Sequence, residues 1–192
     1  MSKRPNFLFF MTDQHRADWL GCAGHPVVRT PHIDALAANG TRFERFYVAS
    51  PVCMPNRASL MTGRFPTAHG LRYNGCLLPT RANTFVDVLR AGGYQTASIG
   101  KSHLQPFTLL PPVGRPMFQT GPIVEAWQEE DEDYGQEQPD RYQSKEPYVF
   151  RTPYYGFDHV DMVVDHGDLA EGHYLQWMRN QTDDWEALRD RA

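Results

Sequence analysis

The first apolar run in the chain is short and unbroken: Asn6–Thr12, "NFLFFMT", closed by Asp13. A continuous run of this length with polar ends predicts a strand buried on both faces. The period then changes. In "RTPHIDALAANG", Ile33, Leu36 and Ala37 recur at helical spacing, with Thr30 as cap, Pro31 at the first position and Gly40 as stop. Thr41–Ser50 alternates imperfectly and predicts a second strand. In "PVCMPNRASLMTGR" a helix is expected to start at Pro55, pack through Ala58, Leu60 and Met61, and end at Gly63. "TFVDVLRAGG" repeats the logic, with Thr84 as cap, Asp87 in the first turn and Gly92 or Gly93 as stop. Tyr94–Gly100 predicts a third strand. Strands alternating with helices in this way predict an α/β fold, a largely parallel sheet flanked by helices.

The pattern lapses between residues 105 and 153. This stretch is rich in proline, carries the acidic run Glu129–Asp140 and holds no period. It predicts a long irregular excursion over the surface, with a loop that shapes a substrate pocket as the alternative. Asp158–Gly167 resumes strand-like alternation, and "DLAEGHYLQWMRN" and "DDWEALRDRA" predict two helices. The last of these stops in mid-helix with no glycine, proline or polar tail. Residues 1–192 are therefore expected to form the N-terminal part of a longer catalytic domain, with the sheet incomplete.

Composition narrows the classes. Hydrophobic residues make up 41% of the 192, enough for a sizeable core, and the net charge of −4 offers no footprint for nucleic acid. No apolar run approaches the roughly 20 residues that span a bilayer. The N-terminal basic and apolar residues are too few, and lack a cleavage site, for a secretory leader. Cys22, Cys53 and Cys76 are odd in number and without CxxC spacing, which argues against a disulfide framework or structural zinc. A cytoplasmic setting is expected.

Candidate chemistry follows from topology. In open parallel sheets, ligands bind beyond the carboxyl ends of the strands. The polar residues just past the three expected strands are Asp13 and Gln14, then Cys53, then Lys101 and His103, with Arg57 one helical turn after Cys53. The helix after Cys53 would aim its free amide donors at the same rim. On residue types alone this is an anion-binding α/β hydrolase or transferase.

These residues resemble the sulfatase family, within the alkaline-phosphatase-like superfamily. "CMPNRASLMTGR" is similar to its C-x-P-x-R signature with the trailing L-x-T-G-R, and "GKSHL" to its G-K-x-H-L. "NFLFFMTDQ" resembles the first strand and its metal-binding acid, and "TPHIDALAANGTRFERFYV" the segment before the signature. The likeness covers most of Pro5–Leu104. It implies that Cys53 is oxidised to formylglycine by a formylglycine-generating enzyme. The hydrated aldehyde is a geminal diol, of which one hydroxyl attacks sulfur and the other helps expel sulfate. It implies a divalent metal, Ca²⁺ or else Mg²⁺ or Mn²⁺, on Asp13, Gln14 and the residue-53 diol. Arg57 would stand by the diol, Lys101 would meet the sulfate oxygens, and His103 would hydrogen-bond the diol or the substrate oxygens. Gln14 stands where many members carry a second aspartate, and Asn56 where serine is common. The family's late metal ligands have no convincing counterpart here, so the isolated chain is expected to turn over poorly or not at all.

The expected activity is hydrolysis of a small-molecule sulfate ester, with no nucleic-acid or membrane partner and an open oligomeric state. Gln14 and Asn74, the latter a candidate substrate-binding residue, also resemble the superfamily's phosphonate monoester and phosphodiester hydrolases. Lys101 and His103 resemble the sulfatases instead. A non-catalytic binding module with Cys53 left as a thiol is the remaining alternative.

Overall fold

The computed structural model describes residues 4–108 and 133–189. Two compact units divide the chain, Met1–Tyr47 and Val48–Ala192. In the first, a 3-10 turn at Gly21–Ala23 precedes helix α1, Pro31–Asn39. The helix forms where its pattern predicts, but Thr30 does not cap it. The hydroxyl accepts from the Gly21 amide (2.9 Å) and donates to Asp34 Oδ1 (2.8 Å), while Asp34 also takes the Cys22 amide (2.7 Å). Among the described residues of this unit none is buried.

Two predicted strands are absent. Asn6–Thr12 and Thr41–Ser50 run as irregular chain, with Phe7 65% and Phe10 85% exposed. A strand exists only where its amides and carbonyls meet a neighbour's, and among the described residues of this unit no ladder forms. The apolar content of both segments was legible; the pairing that would turn it into sheet was not.

The second unit holds the core. Helices α2 (Cys53–Thr62), α3 (Pro66–His69) and α4 (Phe85–Ala91) lead to strand β1 (Ala97–Gly100). Strands β2 (His159–Val164) and β3 (Glu171–Gly172) and helix α5 (His173–Gln181) come after them. Within its described residues, the last predicted helix holds a 3-10 turn at Ala187–Arg189. The sheet order is β1-β2-β3. β1 and β2 are parallel, with Ala97 opposite His159 and Gly100 opposite Met162, and β3 is antiparallel to β2. β2 turns Val160, Met162 and Val164 inward, and these pack with Met54, Ala58, Leu71, Leu78, Val86 and Leu104. Each such burial contributes about 1.5–3 kcal/mol for the larger side chains. Among the described residues no helix is long and apolar enough to cross a membrane.

Local chemistry explains the ends of the helices. Gly63 closes α2 in the left-handed region (φ 66°), its amide bonding Ser59 O, as expected. Thr84 and Asp87 form a reciprocal capping box on α4. Gly156 (φ 90°) lies so close to that first turn that a Cβ would stand 2.6 Å from the Asp87 amide nitrogen.

The excursion differs from expectation. Residues 109–132, including Glu129–Glu132 of the acidic run, lie outside the described residues. The stretch from Asp133 to Pro153 is irregular but not superficial: Gln136, Glu137, Tyr142 and Phe150 are buried, and Tyr142 and Phe150 belong to the core. Aromatic mass, not charge, decides where this segment goes, since Tyr142 and Phe150 bring apolar area that only the interior accommodates.

Candidate functional site

Helix α2 begins two residues earlier than expected, at Cys53. Cys53 is therefore its first residue and Pro55 its third, a position at which proline, lacking an N–H, costs nothing. The cysteine is half-buried and a free thiol. Its S–H donates to Asn74 Oδ1 at 3.3 Å, and the Met54 amide donates to the same oxygen at 3.2 Å. One side-chain carbonyl thus fixes both the thiol and the first turn. Of the amides expected to stand free in this turn, two are engaged and one position has none. Met54's amide is taken by Asn74, Pro55 has none, and the Asn56 amide bonds Val52 O.

From the same helix, Arg57 turns inward. It is 7% exposed, and its Nη1 donates to the Lys101 carbonyl at 2.6 Å. Lys101 directly follows Gly100, the last residue of β1. The α2 signature and the end of the third predicted strand are therefore joined through one guanidinium. The Lys101 ammonium lies over the Phe107 ring, 5.7 Å from its centroid, and the His103 ring packs 4.3 Å from the same centroid. His103 is 4% exposed and takes a left-handed backbone (φ 55°).

Because β1 and β2 are parallel, the residues past β2 share a rim with Lys101. The Lys101 ammonium meets His166 Nε2, and Nδ1 of the same ring faces Asp165 Oδ1 at 3.1 Å. By itself the sequence offers this "DHGD" stretch only as a source of oxygens. The parallel pairing was the signal that could have brought His166 to Lys101.

A second residue was missed altogether. Glu137 is 1% exposed, and its carboxylate accepts from the amides of His103 (2.8 Å), Leu104 (2.9 Å) and Gln105 (3.1 Å) and from the Tyr154 hydroxyl. Burial pushes its carboxyl above the usual range, and the Tyr154 and amide hydrogen bonds pull it back. Burial likewise drives the Tyr154 hydroxyl well up. Nothing in an acidic run marks which carboxylate will be buried.

Cys53, Arg57, Asn74, Lys101 and His103 thus all lie in the second unit. Cys53 and Asn74 are in direct contact, as are Arg57 and Lys101. Asp13 and Gln14 belong to the first unit, where both are exposed and the Gln14 amide donates to Asp13 Oδ1 at 2.9 Å. Their carboxylate and amide oxygens are hard donors, of the kind Ca²⁺ or Mg²⁺ takes, whereas the Cys53 thiol is soft and matches such an ion only once replaced by oxygen. Among the described residues no group of three or more His, Cys, Asp or Glu could hold a metal ion. The donors fit a divalent cation in kind and fall short of a full shell in number.

The family model described as Sulfatase matches residues 5–185. An ulvan-active sulfatase from Formosa agariphila is 44% identical over 101 residues, which is 53% of this chain and 20% of that protein. A solved structure in complex with its substrate D-glucosamine-2-N,6-O-disulfate aligns at TM-score 0.52 and 37% identity, over 59% of this chain and 22% of that one. The phosphonate monoester hydrolase of Agrobacterium radiobacter aligns at TM-score 0.57 and 25% identity, over 88% and 27% respectively. The chain spans about a fifth of the length of the curated relatives it matches.

Proposed function

The chain belongs to the sulfatase family, and from that premise we propose that it forms part of a sulfuric-ester hydrolase acting on small organic sulfate esters. The observation that carries the reading is the Arg57–Lys101 bond, which ties the C-x-P-x-R helix to the G-K-x-H-L strand end. Cys53 is the residue converted to formylglycine, and Asp13 and Gln14 supply oxygens to a divalent cation. A divalent cation held there would supply Lewis-acid chemistry. Asn74 Oδ1, which accepts the thiol proton now, accepts a hydroxyl proton in its place and holds the residue's orientation. Arg57 brings a guanidinium to the buried side of α2, held there in part by the Lys101 carbonyl. The Lys101 ammonium stabilises negative charge that develops on the sulfuryl oxygens, and Phe107 beneath it limits its wandering.

A second reading has a specific support. Asn74 against Cys53, together with the likeness to a phosphonate monoester hydrolase over 88% of this chain, favours a phosphonate monoester or phosphodiester substrate. The ammonium and imidazole at 101 and 103 favour the sulfate.

Coexpression with a formylglycine-generating enzyme, followed by intact-protein mass spectrometry, tests the proposal. Exchange of the Cys53 sulfur for an aldehyde oxygen is expected. A thiol that persists beside an active modifying enzyme makes the chain a non-catalytic module. Relative rates of the aldehyde-bearing full-length enzyme on an aryl sulfate and a phosphonate monoester then choose between the two esters.

A further inference from the structure

We propose that Glu137 is the positioning residue of this site, the carboxylate that sets how Lys101 and His103 leave the end of β1. Three successive backbone amides, at His103, Leu104 and Gln105, converge on its two oxygens. Consecutive amides arranged in this way form a concave nest for an anion. Here the nest is filled from within the chain. The backbone at His103 is left-handed, a conformation in which a side chain is disfavoured, so it persists only where its surroundings hold it. An ionised carboxylate accepts at every lone pair, which suits four donors. Tyr154 supplies the fourth from the "PYYGFD" segment, and the Gln105 side chain bonds the Gln136 amide at 3.1 Å from the other side. The clamp therefore closes around the segment that begins at Lys101, whose carbonyl is already fixed by Arg57.

The consequence for the reaction rests on the reading of Lys101 and His103 as the groups that meet the sulfuryl oxygens. On that reading Glu137, buried and bonded to the 103–105 amides, acts through those two side chains.

The test compares three chains: the parent, Glu137→Gln and Tyr154→Phe. In ¹⁵N-labelled protein, amide exchange is read at 103–105 and, as reference, at Val160 and Met162 in β2. Binding of inorganic sulfate is read from the His103 ring resonances. Glu137→Gln places an NH₂ where an oxygen faced an amide donor. It is expected to speed exchange at 103–105 about tenfold relative to β2 and to weaken sulfate binding by a similar factor. Tyr154→Phe leaves all three amide bonds and is expected to keep the ratio of exchange rates within about threefold of the parent. If the glutamine chain does not fold, Glu137→Asp, which keeps the charge and withdraws it by one methylene, carries the same comparison. Exchange that rises equally at 103–105 and in β2 overturns the proposal, since Glu137 then supports only global stability. Sulfate affinity unchanged while the amides loosen overturns it too. Failure of the parent itself to bind sulfate counts against the sulfatase reading, and the amide ratios still decide whether the clamp exists.

Discussion

His69 provides a quantitative test of how α2 is held. It ends α3 at 1% exposure, its Nδ1 accepts the Leu71 amide at 3.2 Å, and it lies 2.9 Å from Ser59 Oγ through Nε2. With Nδ1 accepting, the proton sits on Nε2 and is donated to the serine. A second proton would face the Leu71 N–H inside the core, with Arg64 nearby, and the pull of the His69 and Pro55 carbonyls does not outweigh this. Burial first, and the Arg64 charge after it, lower the imidazole from 6.5 to about 4. The folded value lies below the unfolded one, so the unfolded chain binds more protons as the pH falls. The neutral ring's contribution is therefore complete above the unfolded value of 6.5 and is lost as pH drops from there toward 4. The full loss is about 3 kcal/mol, of which about 2 kcal/mol has gone by pH 5. His69→Gln keeps an acceptor and a donor at similar reach and does not titrate. Urea unfolding of both chains at pH 7 and pH 5 gives the comparison, with all other groups cancelling between them. The parent is expected to lose about 2 kcal/mol more than the variant over that interval. Equal losses would mean that the charged imidazole is tolerated, and the assigned burial and tautomer would both be wrong. Since Ser59 lies in α2 between Arg57 and the Gly63 cap, the same acid titration loosens the helix that presents Cys53.

Two further substitutions probe the remaining supports. Arg57→Lys removes the forked reach to the Lys101 carbonyl; a loss of about 1–3 kcal/mol in urea unfolding is expected at unchanged m-value, with weaker sulfate binding alongside. Gly156→Ala forces a methyl to within 2.6 Å of the Asp87 amide in a left-handed backbone; thermal unfolding is expected to show a loss of about 2 kcal/mol or more. At Gly63, where the φ is similar but nothing lies within 4 Å of the added Cβ, the same change is expected to cost only about 1 kcal/mol.

What could be read from the sequence was what is decided over a few residues. The capping box at Thr84 and Asp87, the glycine stop at Gly63 and the alternation of Val160, Met162 and Val164 are local patterns, and each appears where it was expected. The two missing strands fail for the converse reason. "NFLFFMT" has the composition of a buried strand, but strand formation is a property of a pair, and the partner is not specified by the run itself. The site divides along the same line. Lys101 and the Cys53–Arg57 helix were expected on one rim past parallel strand ends; the strand expected before Cys53 does not form, and the two segments meet instead through the Arg57 bond to the Lys101 carbonyl. Asn74 was reached through resemblance, since its spacing from Cys53 carries no period. Glu137 was hidden by its neighbours: in "EEDEDYGQEQPD" seven acidic side chains look alike, and this one is chosen for burial by amides more than thirty positions upstream and by a tyrosine downstream. A carboxylate enters a core only where donors already wait for it. The left-handed turn at His103 and the burial of Glu137 are therefore two views of one event, because each is unfavourable alone and each supplies what the other lacks.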